Sequence, residues 1–198
     1  MPEVQKRKTV PTIREWRDAI SAAWKARTGR RPSLDALSVL FAQWSLETGR
    51  GEAMWCHNFG GIKGYGGTSR HWRGDYCMLP TFEYDAKGKR YNIVDRFRSY
   101  PTMRAGADDY LAFLGRDSYR SAWARIEAGD PRGFARELKV RNYYTAPESD
   151  YAAGLSARAK EGLEAIKKLP PEAAVGGGVV LVGLLVGAGW WLRARRAA

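Results

Sequence analysis

Cysteine and histidine are scarce in this 198-residue chain, with two of each. Cys56 and Cys77 are too few for a disulfide-dense secreted scaffold. With His57 and His71 as the only histidines, the spacing of a structural zinc site is missing, so no metal is expected. The two thiols leave open either a single Cys56–Cys77 bridge or a pair of buried free thiols. Acidic residues are also in deficit, 21 against 33 lysines and arginines, for a net charge of +12. The basic excess is spread along the chain, which points to a polyanionic partner without naming it. No RNA-binding signature, zinc-finger spacing or separate basic arm accompanies the charge, so nucleic acid is not the expected partner. The basic start MPEVQKRK is not followed by an apolar run, which argues against an ordinary signal peptide.

What is present, 44% hydrophobic and 12% aromatic residues, suits one compact domain with a short appendage. The expected division is a basic segment over 1–10, the domain over 11–169, a linker over 170–172, an apolar span over 173–192 and a basic tail over 193–198. Residues 173–192 carry no charge and are bounded by Glu172 and by Arg193, Arg195 and Arg196. That length predicts a C-terminal transmembrane helix with the lipid bilayer as partner. Trp190 and Trp191 suit the interface, and Gly183 with Gly187 gives a small-residue spacing for weak self-association.

Between the ends the pattern is mostly helical, interrupted by a Gly-, Tyr- and charge-rich stretch from about Gly60 to Arg98. Pro32 and Ser33 open an amphipathic helix with Leu37, Leu40, Phe41 and Trp44 on one face, closed by Gly49 and Gly51. In YCMLPTFEYDAKGKRYNIVDRF the KGK turn separates two strands. Further helices start at Pro101–Thr102, at Ser118, at Asp130–Pro131 and near Ser149, the last carrying Tyr151, Leu155, Leu163 and Ile166. Glu47 stands out because it follows Leu40 by seven residues and Trp44 by three, which places a carboxyl on the apolar stripe. Burial and the negative end of the helix dipole both raise its pKa, as a general acid requires. A surface pair with Arg50 on a fraying last turn is the competing reading.

The string AQWSLETGRGEAMWCHNFGGIKG resembles the signature of glycoside hydrolase family 73, the bacterial endo-β-N-acetylglucosaminidases. Ala42, Gln43, Leu46, Glu47, Thr48, Gly49 and Gly51 look like that family's acid-bearing helix, and Asn58, Gly61, Ile62 and Lys63 look like its asparagine-to-lysine motif. Gly60 stands where a phenylalanine is usual. LPTFEYDAKGKRYNIVDRFRSYP is similar to the family's β-lobe, which makes Glu83 the counterpart of its second carboxylate, with Asp75, Asp85 and Asp95 as competitors. NYYTAPESDYAAGL resembles its tyrosine motif, so Tyr143 matches the active-site tyrosine. Ala146 replaces the usual aspartate, and two extra residues precede Tyr151.

The resemblance spans about Ser33 to Leu155 and implies an α+β, mostly helical lysozyme-like fold with a small β-lobe. It implies cleavage of the β-1,4 bond between N-acetylglucosamine and N-acetylmuramic acid without a cofactor, with Glu47, Glu83 and Tyr143 catalytic and glycan strands of peptidoglycan as partner. Gln43, Asn58 and Lys63 are the candidate substrate-binding residues, joined by Tyr65 and Trp72 as rings on which a sugar face could pack. A second carboxyl at roughly 5–5.5 Å would act as nucleophile and one at roughly 6.5–9.5 Å would activate water. Participation of the substrate's acetamido group is a third route. The expected setting is a membrane-anchored enzyme facing the wall, as phage endolysin, virion-associated lysin or bacterial autolysin. A lytic transglycosylase or muramidase on the same fold, and a non-catalytic wall-binding or virion structural protein, are the alternatives.

Overall fold

A computed structural model describes residues 2–66, 68–84, 89–144 and 146–171, without the side chains of Glu83, Tyr84 and Arg90. The elements in chain order are α1 (Ile13–Thr28), α2 (Leu34–Thr48), β1 (Tyr76–Tyr84), β2 (Arg90–Arg98), α3 (Met103–Leu114), a 3-10 turn (Asp117–Tyr119), α4 (Arg120–Glu127), α5 (Pro131–Val140) and α6 (Glu148–Lys167). This is the expected helical body with a two-stranded antiparallel lobe, in which Cys77 faces Phe97 and Glu83 faces Tyr91. The helix starts follow from local chemistry. Ser33 accepts from the Ala36 amide at the start of α2, Thr102 from Ala105 before α3, and Asp130 from Gly133 before α5 with Pro131 in the first turn.

The described residues hold no counterpart of the expected transmembrane helix. No helix among the described residues is long and apolar enough to cross a membrane. Residues 173–192, on which the expectation of a span, a bilayer partner and a self-association face rested, lie outside the described residues. The longest helix among the described residues, α6, ends at Lys167 and carries charge along its length, including Glu148, Asp150, Lys160, Glu161 and Glu164, so it is a surface helix with one buried stripe. The basic N-terminal segment is not separate from the domain. Its backbone bridges Glu3 to Tyr76 and Lys8 to Trp55, laying it across both the β-lobe and the loop after α2.

α2 is the centre of the body, and it differs from the amphipathic helix expected. Every residue from Ala36 to Ser45 is buried, including the polar Ser38, Gln43 and Ser45. α6 packs along one side of it, and Gly162 is what permits the close approach, since a Cβ there would lie 2.3 Å from a Phe41 ring carbon. On another side Trp16 of α1 meets Phe41 and Trp44 with ring centroids 5.3 and 5.6 Å apart.

The lobe is joined to the body through Asp109 on α3. Its carboxylate accepts from Arg98 Nη1 at 2.8 Å, from the Tyr100 hydroxyl at 2.6 Å and from Ser69 Oγ at 2.7 Å. The Arg98 and Asp109 side chains are 7% and 3% exposed, so both charges have left water and depend on each other. Asp109→Ala strands the arginine and should cost about 3–5 kcal/mol in a urea titration. An unchanged midpoint would mean that the lobe is held by something else.

Candidate active site

Glu47 occupies the last turn of α2, where the buried helix reaches the surface: Ser45 is covered, Leu46 half-covered and Glu47 exposed. Its side chain is therefore open to an incoming molecule, yet the protein packed around it keeps much of the solvent's stabilisation away. This desolvation raises its pKa to about 7, and the Tyr151 hydroxyl, donating to Oε1 at 3.2 Å, works in the opposite direction. A carboxyl in this state carries a proton near neutrality and can still release it.

Arg50, the proposed surface partner of Glu47, is used elsewhere. Its guanidinium makes a two-pronged contact with Glu161 of α6, Nε to Oε1 at 2.7 Å and Nη2 to Oε2 at 3.0 Å. Arg158 holds the same carboxylate at 2.7 Å. The cation nearest to Glu47 in sequence is thus bound to another acid, which removes an ion pair that would have pulled the Glu47 pKa down.

Phenols surround the acid. Tyr151 stacks on Tyr144 with centroids 3.8 Å apart and planes 15° from parallel, and Tyr144 is anchored by its hydroxyl to the Ala135 carbonyl at 3.1 Å. Lys139 lies over the Tyr144 ring at 5.0 Å and donates to the Ala146 carbonyl at 2.7 Å. The loop after α5 is therefore tied down without the aspartate expected at position 146. Tyr143 packs edge-on to Phe113 and Tyr119, and its hydroxyl pKa is pushed well up by burial and then by the Glu47 charge. Tyr143 is thus close to the acid, but the hydrogen bond to Glu47 comes from Tyr151. Tyr151 stood in the tyrosine motif as a follower of Tyr143; its place in the first turn of α6, four residues before the buried Leu155, is the signal that turns it toward α2.

The remaining candidates divide by depth. Gln43, one turn before Glu47, is fully buried and accepts from the Tyr110 hydroxyl at 2.6 Å. Tyr110 fills the space beside Gly60, where a Cβ would lie 2.8 Å from its ring, so the departure from the expected phenylalanine coincides with a ring arriving from α3. Asn58 is 4% exposed and its amide is spent on the backbone, donating to the Ile62 and Arg98 carbonyls at 2.9 and 3.1 Å and accepting from the Ile62 amide at 2.9 Å. Trp72 is also buried, with Nε1 on the Asp75 carbonyl at 2.6 Å and Arg98 stacked 4.3 Å above its ring. Lys63 and Tyr65 both reach Asp95, a 7% exposed acid on β2. Burial alone would raise the Asp95 pKa, but these two donors outweigh it and the net shift is downward. Of this group Tyr65 leaves its ring most open, at 55% exposure. Glu83 lies in β1 by its backbone, and its side chain is outside the described residues. Among the described residues no cluster of His, Cys, Asp and Glu could hold a metal ion.

A carboxyl held near neutral pKa at the open end of a buried helix, on a helical body with a small antiparallel lobe, is the equipment of a lysozyme-like glycoside hydrolase. The model of the glucosaminidase family, described as mannosyl-glycoprotein endo-beta-N-acetylglucosaminidase, matches residues 23–162, and the chain belongs to this family, glycoside hydrolase family 73. It is 32% identical over 148 residues to the peptidoglycan hydrolase FlgJ of Pseudomonas aeruginosa, a match covering 71% of this chain and 35% of that protein. The chain thus spans about a third of this curated relative. Among solved structures, a peptidoglycan hydrolase mutant from Sphingomonas sp. A1 superposes with a TM-score of 0.55 at 25% identity, covering 77% of this chain and 94% of that one. The catalytic domain of the autolysin Auto from Listeria monocytogenes shares the fold, with a TM-score of 0.53 at 22% identity over 80% and 89% of the two chains.

The two contacts around Glu47 act in opposite senses. Tyr151→Phe removes a donor that favours the carboxylate, so the pH at which Glu47 loses its proton should rise. Glu161→Gln frees Arg50, so that pH should fall. Both shifts can be read from the carboxyl carbon resonance of Glu47 in an NMR titration. Equal titration in both variants and the parent would show that neither contact tunes the acid.

Proposed function

We propose that this chain is a peptidoglycan hydrolase that cleaves the β-1,4 bond between N-acetylglucosamine and N-acetylmuramic acid, with Glu47 as proton donor to the leaving oxygen. The observation that carries this reading is the Glu47 carboxyl itself, exposed enough to touch substrate and desolvated enough to keep a proton near pH 7. Family membership supplies the reaction class, and both the Pseudomonas aeruginosa relative and the Sphingomonas protein bear the name peptidoglycan hydrolase.

Glu83 is proposed as the second carboxylate, which stabilises the positively charged sugar or activates water. Its place near the end of β1 supports this, and so does the fate of a competitor, because Asp95 is held by Lys63 and Tyr65. Tyr143 and Tyr151 are proposed to position the acid and the sugar it protonates. Tyr65 offers a ring face to a sugar, whereas Gln43, Asn58, Lys63 and Trp72 shape the ground on which the site stands. The place of action is the wall side of the cell envelope, where the substrate is.

Glu47→Gln should lower the release of reducing ends from purified walls by about 10²–10⁴, the usual contribution of a positioned general acid. The parent rate should fall as pH rises above about 7, because the donor must hold its proton before the bond breaks. Mass analysis of the products decides the bond: reducing N-acetylglucosamine ends support this reading, reducing muramic acid ends make the protein a muramidase, and anhydro ends make it a lytic transglycosylase. A Glu47→Gln protein as active as the parent removes Glu47 from the mechanism.

A further inference from the structure

The two cysteines have no part in the chemistry around Glu47, yet the fold brings them together. Cys56 lies in the loop that follows α2, and Cys77 is the second residue of β1. They are 2% and 0% exposed and share a small apolar cluster with Leu79, backed by Val4, Trp55 and Phe97 and separate from the main core. Both are free thiols, and their side chains are hydrogen-bonded neighbours. That contact lowers the Cys56 pKa, assisted by a hydrogen bond from the Arg7 backbone, by Ser99 and by the Arg7 charge against the effect of burial, and raises that of Cys77.

The chain is held on both sides of the pair. The Cys56 amide donates to the Arg7 carbonyl at 2.7 Å, the Tyr100 amide donates to the Cys56 carbonyl at 3.0 Å, and Cys77 sits in register with Phe97. Cys56 has a φ of 53°, a left-handed conformation that a non-glycine residue adopts only when its surroundings impose it. Because the two thiols already lie within hydrogen-bond reach of each other, closure of the sulfurs asks first for side-chain rotation. Access exists as well, because Cys56 borders a cavity of about 470 Å³ whose other walls include Val4, Gln5 and Arg7 of the N-terminal segment together with Ser99 and Tyr100.

We propose that Cys56 and Cys77 form a redox modification site, a dithiol that closes to an intramolecular disulfide by exchange with a small organic disulfide reaching it through this cavity. The Cys56 thiolate attacks one sulfur of the reagent, whose S–S bond breaks and releases one thiol. Cys77 then loses its proton and attacks Cys56 Sγ, breaking the mixed disulfide and releasing the second thiol. The protein is oxidised by two electrons and loses two hydrogens, and the reagent is reduced to two thiols. The bridge staples the loop behind the acid-bearing helix to the first strand of the lobe, at the root of whatever motion the lobe makes over substrate.

The test uses the full chain, first reduced and freed of reductant, then incubated with oxidised glutathione at pH 8. It is then quenched by alkylation in denaturant and mapped by mass spectrometry. The expected product is two hydrogens lighter, unalkylated, and yields a linked Cys56–Cys77 peptide. Its thermal midpoint should rise by about 5–10 °C and return on reduction. Cys77→Ser should stop at a glutathione adduct on Cys56. Alkylation of both cysteines after the same treatment, or linkage only between chains, overturns the proposal. Should the serine variant fold poorly, the linked peptide and the melting shift of the parent decide by themselves.

Discussion

A helix buried on every side must either lose its polar groups or find partners for them, and α2 meets most of this constraint in a way that positions the rest of the molecule. Its backbone is satisfied internally, Ser33 caps the start, and the Gln43 side-chain oxygen accepts from the Tyr110 hydroxyl, whereas Gln43 Nε2 and Ser45 Oγ are buried without a hydrogen-bond partner among the described residues. The helix emerges from burial at its two ends, at Leu34 and Asp35 and again in its C-terminal turn. Glu47 is placed there, so its half-desolvated state follows from where the central helix emerges rather than from a pocket built around it. The elements that cover α2 then become the walls of the site: α6 brings Tyr151 and Glu161, and α3 brings Tyr110.

The β-lobe has no comparable core, and polar side chains attach it. Asn58 ties the loop to the end of β2, Asp109 gathers Arg98, Tyr100 and Ser69, and Asp95 gathers Lys63 and Tyr65. Each is a buried acceptor or amide with its partners present, the condition under which such groups specify one arrangement instead of destabilising it. Residues that look chemically suited to grip a sugar are thus occupied in orienting the surface that grips it. The same economy explains Trp72, whose face is covered by Arg98.

Much of the fold was legible because its signals are local. Caps at Ser33, Thr102 and Asp130, the proline after Asp130 and the strand-like composition of β1 and β2 each act within a few residues of themselves. Glu47 was legible too, since a carboxyl in register with Leu40 and Trp44 conflicts with helical patterning. What escaped depends on pairing at long range. The contact of Asn58 with the Arg98 carbonyl spans forty residues and that of Tyr151 with Glu47 more than a hundred, and no periodicity encodes either. The amphipathic reading of α2 failed for a related reason: Ser38, Gln43 and Ser45 look like a solvated face until the partners that cover them are known. The apolar run at the C-terminus shows the limit of composition, which suggested a span on residues beyond those the structure describes.

The protonation of Glu47 is best understood against the charge of the whole chain. With 33 basic residues against 21 acidic ones, the average field of this protein favours carboxylates and works against keeping a proton on any acid. A general acid in such a protein needs two protections: removal from water, which penalises its charge, and removal of nearby cations, which would reward it. Desolvation by the protein packed around the end of α2 supplies the first, and capture of Arg50 by Glu161 the second. The Tyr151 hydroxyl then restores part of what desolvation removes, leaving the carboxyl near the middle of its range and not locked in its neutral form. An acid that had only the first protection would be ionised by its neighbour. One that lacked the phenol would hold its proton too firmly to give it up when the glycosidic oxygen asks for it.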